Sequence, residues 1–291
     1  MAVRQAPAGP DSGEMARFAA AFLRNRPAWF GVAVVAVLLT MAVGAPALAP
    51  YPPLEPHPAD RLTPPSGRYL LGTDDIGRDN LSRIIYGARV SLAVGAISIG
   101  LALVVGVALG LASGYRGGAV DAVISRALDG LLAFPAIVLA IALMAVLGPS
   151  LYNAMLAIGI IYVPAFARIT RANVLSLREQ EFVEAARALG APDRYVVLRA
   201  ILPNCLSAII VQTSLGVGYA ILVEASLSFL GLGIQPPDPS WGSMLSQGRN
   251  FLHQAWWFAT FPGLAIFLTV LGLNFVGDGL REALDPRLRA L

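Results

Sequence analysis

Glu181–Pro203 reads EFVEAARALGAPDRYVVLRAILP, a charged stretch set between long apolar runs, and its placement decides how the rest of the chain must fold. Phe182, Ala185, Ala186 and Leu189 recur at i, i+3, i+4 and i+7, one apolar stripe of a helix, while Glu181, Glu184 and Arg187 point elsewhere. Gly190 suits the left-handed residue that ends such a helix, and Pro192 suits the first turn of a second helix running to about Leu202. Two short helices joined by a sharp bend form a rigid knob, a shape that grooves of other proteins receive. The stretch carries none of the paired carboxylates or activated nucleophiles of an active site.

Outside this island the chain is built for a bilayer. Of its 291 residues 56% are hydrophobic and only 13% charged, with a mean hydropathy of +0.67, too little charge to cover a water-soluble surface. All 21 basic residues are Arg. Without a Lys the chain has neither the phosphate-binding lysine of a P-loop nor a Schiff-base lysine, so it is not itself a conventional P-loop ATPase. The single Cys205 forms no intrachain disulfide and is assigned to packing, and His57 and His253 are too far apart in sequence to suggest a metal site. A net charge of +3 is explained by membrane topology rather than by nucleic acid.

Working outward, the uncharged run Trp29–Leu48 has 20 residues, enough to cross a hydrocarbon core of about 30 Å. Ala47-Leu48-Ala49 imitates a signal-peptide cleavage site, but the apolar run is too long for one and Pro50 would follow the cut, so this segment is read as a retained first span (29–49) after an arm (1–28). Seven prolines between Pro50 and Pro65 make an extended linker. In LGTDDIGRDNLSRIIYGARVSL, Thr73 is a candidate N-cap, and Asp74 with Arg78 and Asp79 with Arg83 stand at i,i+4 spacing. The expectation is an amphipathic helix on the membrane surface, closing an outer loop at 50–88.

The stretch 89–280 carries five further spans. Twenty-six uncharged residues separate Arg89 from Arg116, and Gly106, Gly110 and Gly114 recur every fourth position, a stripe that admits a close helix neighbour. After a short loop, Gly130–Ala167 is uncharged for 38 residues, about 57 Å as one helix, so it must fold back, with Gly148-Pro149-Ser150 as the turn. This yields spans three and four, with Pro135 and Pro164 near their ends. Span five follows the polar segment and span six is Trp256–Val276, leaving a tail at 281–291. Six spans place both termini on one side. That side holds 15 of the 21 arginines, including the six of the polar segment, so it is cytoplasmic.

Glu184-Ala185-Ala186, then Gly190, then Leu202-Pro203 resemble the EAA loop of membrane subunits of ABC-type importers. Within that superfamily, LGTDDIGRD…SR…YGARVSL and EASLSFLGLGIQPPDPSWG resemble the second permease subunit of dipeptide, oligopeptide and nickel uptake systems, from about Arg17 to Leu291. Ala200 departs from the branched apolar residue usual at its position. The resemblance implies an all-α, six-span type I importer permease with an added N-terminal helix, in a bacterial inner membrane. It implies a second homologous permease, two cytoplasmic ATP-binding subunits that hold ATP and Mg, an extracytoplasmic binding protein, and no cofactor or catalysis in this chain. Glu184, Ala185, Ala186, Arg187 and Gly190 are the residues it assigns to ATPase coupling.

Glu224 is the one carboxylate well inside a predicted span, and a functional role on the substrate pathway is the default reading, with pairing to a neighbouring chain as the rival. Asp74, Asp75, Arg78, Asp79 and Trp241 are candidates for docking a binding protein or gating the outer mouth. A glutathione or nickel importer, or an ion-coupled secondary transporter using Glu224, are the alternative functions. The last is disfavoured because the halves show no convincing repeat.

Overall fold

The computed structural model describes residues 25–284; most of the arm expected at 1–28 and of the tail at 281–291 lies outside the described residues. Helix α1 is Arg26–Leu48, started by Asn25, whose side chain accepts a hydrogen bond from the Ala28 amide at 3.0 Å. Helix α2 is Asn80–Arg116, 37 residues and roughly 55 Å long. The separate surface helix expected before it does not form. Asp79, not Thr73, is the N-cap, accepting from the Ser82 amide at 2.8 Å, and the helix then continues straight into the second span. Thr73 instead makes a single bridge with Asp79, and Gly77 adopts φ +86° against the backbone of His57, which keeps Asp74–Arg78 in a turn.

The segment expected as a short loop after Arg116 is helix α3, Gly118–Leu132, followed by α4, Ala136–Leu147. The two meet at 89°, with Pro135 at the break. Proline lacks the amide that would continue α3 and disfavours helix in the residue before it, so Pro135 divides the third crossing instead of sitting quietly near its end. The chain does turn back at Gly148, and Ser150 caps α5, Leu151–Leu177, which accommodates Pro164 in its interior. Helix α6 is Glu181–Ala188, and α7 runs without interruption over Asp193–Phe229. The short α8, Trp241–Gly248, and α9, Trp256–Leu284, follow. Among the described residues five helices are long and apolar enough to cross a membrane, six crossings if the bent pair counts as one.

The core is the α2–α5 seam. A β-carbon on Gly106, Gly110 or Gly114 would fall within 2.6–2.8 Å of Phe166, of Ala167 and Thr170, or of Val174 on α5, so only glycine permits this approach. Helix α7 packs on the same seam, burying Ile99, Met155, Ile158 and Leu227. Helix α1 lies outside this group, against α9 and α2.

Candidate functional site

The polar knob stands at the end of the seam, anchored from beneath. The Tyr115 hydroxyl, one residue from the end of α2, donates to Asp193 at 2.6 Å, and the Arg187 guanidinium lies over the Tyr115 ring at 5.2 Å. Arg178 donates to the Gly114 carbonyl at 3.1 Å. Both arms of the knob are thereby tied to α2. Gly190 makes the bend at φ +79°, with its amide donating to Arg187 and the Ala191 amide reaching back to Ala186.

The buried residue of α6 is Val183, with Ala186 half-buried beside it, so the stripe facing the body differs from the one read off the spacing. Phe182, Ala185 and Leu189 point outward, and Leu189 is 88% exposed. Glu184 also faces out. Arg187, expected to reach a partner, is held over Tyr115.

Pro192 precedes the second arm rather than entering its first turn, and that arm does not end at Leu202. Residues Val196–Ile201 adopt a π-helical turn, with the Leu202 amide bonded to the Val197 carbonyl, and α7 goes on to Phe229. Pro203 is the physical reason: it has no amide for the Arg199 carbonyl and its ring would strike that carbonyl in a regular helix. The Asn204 side chain covers the Ala200 carbonyl at 2.7 Å.

At the far end, the two loops expected on the outer side form one cap. Asp74 is fully buried, receives the Arg78 side chain at 2.6 Å, and lies 3.7 Å from Arg83, which therefore pairs with Asp74 and not with Asp79 as its spacing suggested. Asp79 is spent on the α2 cap. Trp241 is 2% exposed and its indole donates to the Ile84 carbonyl at 2.9 Å. These residues are scaffolding of the cap; of the five outer candidates, only Asp75 is even partly exposed, beside the exposed Ile76. Isolated side chains cannot announce this from sequence, because the partners are up to 157 positions away.

Residues 106–290 match the family described as binding-protein-dependent transport system inner membrane component, and residues 15–65 match the N-terminal TM domain of oligopeptide transport permease C. The chain belongs to this permease family. The permease is 49% identical to the dipeptide transport system permease protein DppC of Alkalihalophilus pseudofirmus, across 92% of this chain and 88% of that one. It is 43% identical to the di/tripeptide transport system permease protein DppC of Pseudomonas aeruginosa, across 99% and 98%. Against the glutathione transport system permease protein GsiD of Pectobacterium atrosepticum the identity is 46%, across 92% and 90%. An inward-facing structure of the MetNI methionine ABC transporter superposes with a TM-score of 0.58 at 18% identity, covering 70% of this permease and 96% of that chain. The fold is thus that of a type I ABC importer permease with a helix added at the N terminus, and the permease is a multi-pass, non-catalytic transport subunit.

Within the permease, Glu224 is buried in the outer half of α7. It is 1% exposed, accepts the Ser228 hydroxyl at 2.5 Å, and Ser228 also receives the Ile234 amide at 3.3 Å. The carboxylate ties the outer end of α7 to the loop that leads into α8. Glu224→Gln keeps an acceptor for Ser228, so uptake of cationic and neutral substrates is expected to change by the same factor, under about twofold. Competition assays with a matched pair of substrates check this; a change in their ratio would return Glu224 to the pathway.

Proposed function

We propose that the permease is one transmembrane half of an ATP-driven peptide importer, with the knob at Glu181–Pro203 seated in a cytoplasmic ATP-binding subunit. The observation that carries this is the uncovered apolar face of α6. Phe182, Ala185 and Leu189 stand away from the body on a segment whose arginine content marks the cytoplasmic side. Water-facing aromatic and aliphatic side chains flanked by Glu184 suit the groove of a soluble partner.

The same geometry supplies the transmission. A displacement of α6 acts on α2 through Tyr115 and Arg178, and on α7 through the short bend at Gly190. Helix α7 then spans roughly 55 Å to the outer cap, where Glu224 and Ser228 grip the loop before α8. Closure of a pair of ATP-binding subunits, which hold the ATP and Mg, would rock these helices between inward- and outward-facing arrangements. A homologous second permease completes the pathway, and an extracytoplasmic binding protein delivers the substrate. Both termini are cytoplasmic in this reading. Di- and oligopeptides are favoured as substrates by the names of most of the close relatives, and glutathione, itself a tripeptide, is the second reading, supported by GsiD.

The test is purification of the tagged permease from its native membrane. A second permease and two ATP-binding subunits are expected to come with it, and reconstituted vesicles are expected to take up peptides in a vanadate-sensitive manner. Uptake driven by a proton gradient, with no ATP-binding partner, would overturn the proposal.

A further inference from the structure

The YGARVSL motif is absorbed neither by the knob nor by the cap, and its Arg89 has an unusual partner. Helix α1 contains Pro46 in its interior. Proline has no amide, so the carbonyl four residues earlier, that of Ala42, loses its intrahelical hydrogen bond in surroundings without water. The Arg89 Nε of α2 donates to that carbonyl at 2.6 Å. The guanidinium lies over the Tyr86 ring at 5.2 Å, which holds it in place. Two further side chains of α2 reach the chain just beyond: Arg83 donates to the Pro53 carbonyl at 3.2 Å, and the Ser82 hydroxyl accepts from the Tyr51 amide at 3.1 Å.

We propose that Arg89 is a positioning residue that staples the added N-terminal helix to the permease core by supplying the hydrogen bond that Pro46 removes. The N-terminal segment and the core match separate family models, 15–65 and 106–290, so the two units need a joint, and Arg89 lies between the matched ranges. Packing fits the same reading. Gly31 abuts the Gly272 carbonyl, Gly272 abuts Val34, and Phe30 meets Phe275 edge-on at 6.0 Å, while Asn25 donates to Glu282 at 2.6 Å. Stapled to α2 on one side and packed on α9 on the other, α1 moves with these helices as one body.

The joint is reciprocal, which makes it testable in the complete transporter in lipid nanodiscs. Arg89→Ala is expected to raise amide hydrogen exchange over Ala42–Leu48 several-fold and to lower the unfolding midpoint by a few degrees. Pro46→Ala restores the amide that the Ala42 carbonyl lacks, so it is expected to be tolerated alone and to return exchange in the Pro46→Ala/Arg89→Ala double variant to the parental rate. Should Arg89→Ala fail to accumulate, recovery of the double variant in the membrane is the same result read another way. Unchanged exchange in Arg89→Ala, or a double variant as damaged as Arg89→Ala alone, overturns the proposal.

Discussion

Gly190→Pro is expected to leave the permease in the membrane and to strip it of its ATP-binding subunits. The residue sits at φ +79°, a value the proline ring, fixed near −65°, cannot reach. Its amide, bonded to the Arg187 carbonyl at 2.9 Å, would also be lost. Among the described residues no neighbouring atom stands within 4 Å of where a β-carbon would lie, so the damage is confined to the direction of the bend and spares the packing. Redirecting α6 moves Phe182 and Leu189 out of register with any groove. Loss of a central apolar anchor ordinarily costs at least about 2 kcal/mol, roughly 30-fold in affinity. Co-purification of the ATP-binding subunits is therefore expected to fall to background while the amount of permease in the membrane is unchanged. Gly190→Ala, strained by about 1–2 kcal/mol, is expected to fall between. Normal uptake and normal co-purification in Gly190→Pro would sink the coupling role.

Trp241→Ala is expected to do the reverse. The indole is one of the largest fully buried side chains; it fills the space over Gly87 and bonds the Ile84 carbonyl, fastening α8 to α2. Its removal leaves a cavity beneath the cap, and buried Trp→Ala changes cost about 3–5 kcal/mol. The expected result is a marked drop in the unfolding midpoint and in the quantity of permease recovered, with the surviving fraction still binding its ATP-binding partners, because α6 lies at the other end of the bundle. Trp241→Phe, which keeps most of the volume and loses only the donor, is expected to recover more than half of the loss. A Trp241→Ala variant as stable as its parent, but unable to receive a binding protein, would show that the indole is a docking residue after all.

How much of this was legible in the sequence depended on whether a feature is set locally. The apolar runs, the turn at Gly148, the close-packing stripe at Gly106, Gly110 and Gly114, and the bend at Gly190 each follow from residues within one or two helical turns. The start of α2 was not so decided. Thr73 and Asp79 are both competent caps, and the choice falls to Asp79 because Gly77 packs on His57 and Thr73 receives the Thr63 amide, contacts made across the loop. Asp74 is a mixed case: its pair with Arg78 follows from the i,i+4 spacing, but Arg83, nine positions on in α2, is brought to it only by the fold of the loop. Pro135 was read as tolerated near the end of span three, and the structure makes it a break between α3 and α4.

Two misreadings have a common source. A helical period identifies an apolar stripe but not which stripe meets the core, and α6 carries two: Val183 with Ala186 inside, and Phe182 with Leu189 outside. Polarity likewise suggested that the outer aspartates were surface groups. Asp74, Asp79 and Glu224 are buried because a particular hydroxyl, amide or guanidinium satisfies each of them. Arg89 was visible only as part of a motif, since the missing amide of Pro46 that gives it a purpose lies 43 residues away in another helix.

The most direct measurement is photocrosslinking from Leu189 in intact membranes, using a benzophenone amino acid placed there and, as a control, at Leu252 in the outer loop. A covalent adduct of the permease with an ATP-binding subunit from position 189 and none from 252 is the expected result. An unattached Leu189, with the crosslinker reacting only with water or lipid while transport proceeds, would contradict the docking of a motor at this knob.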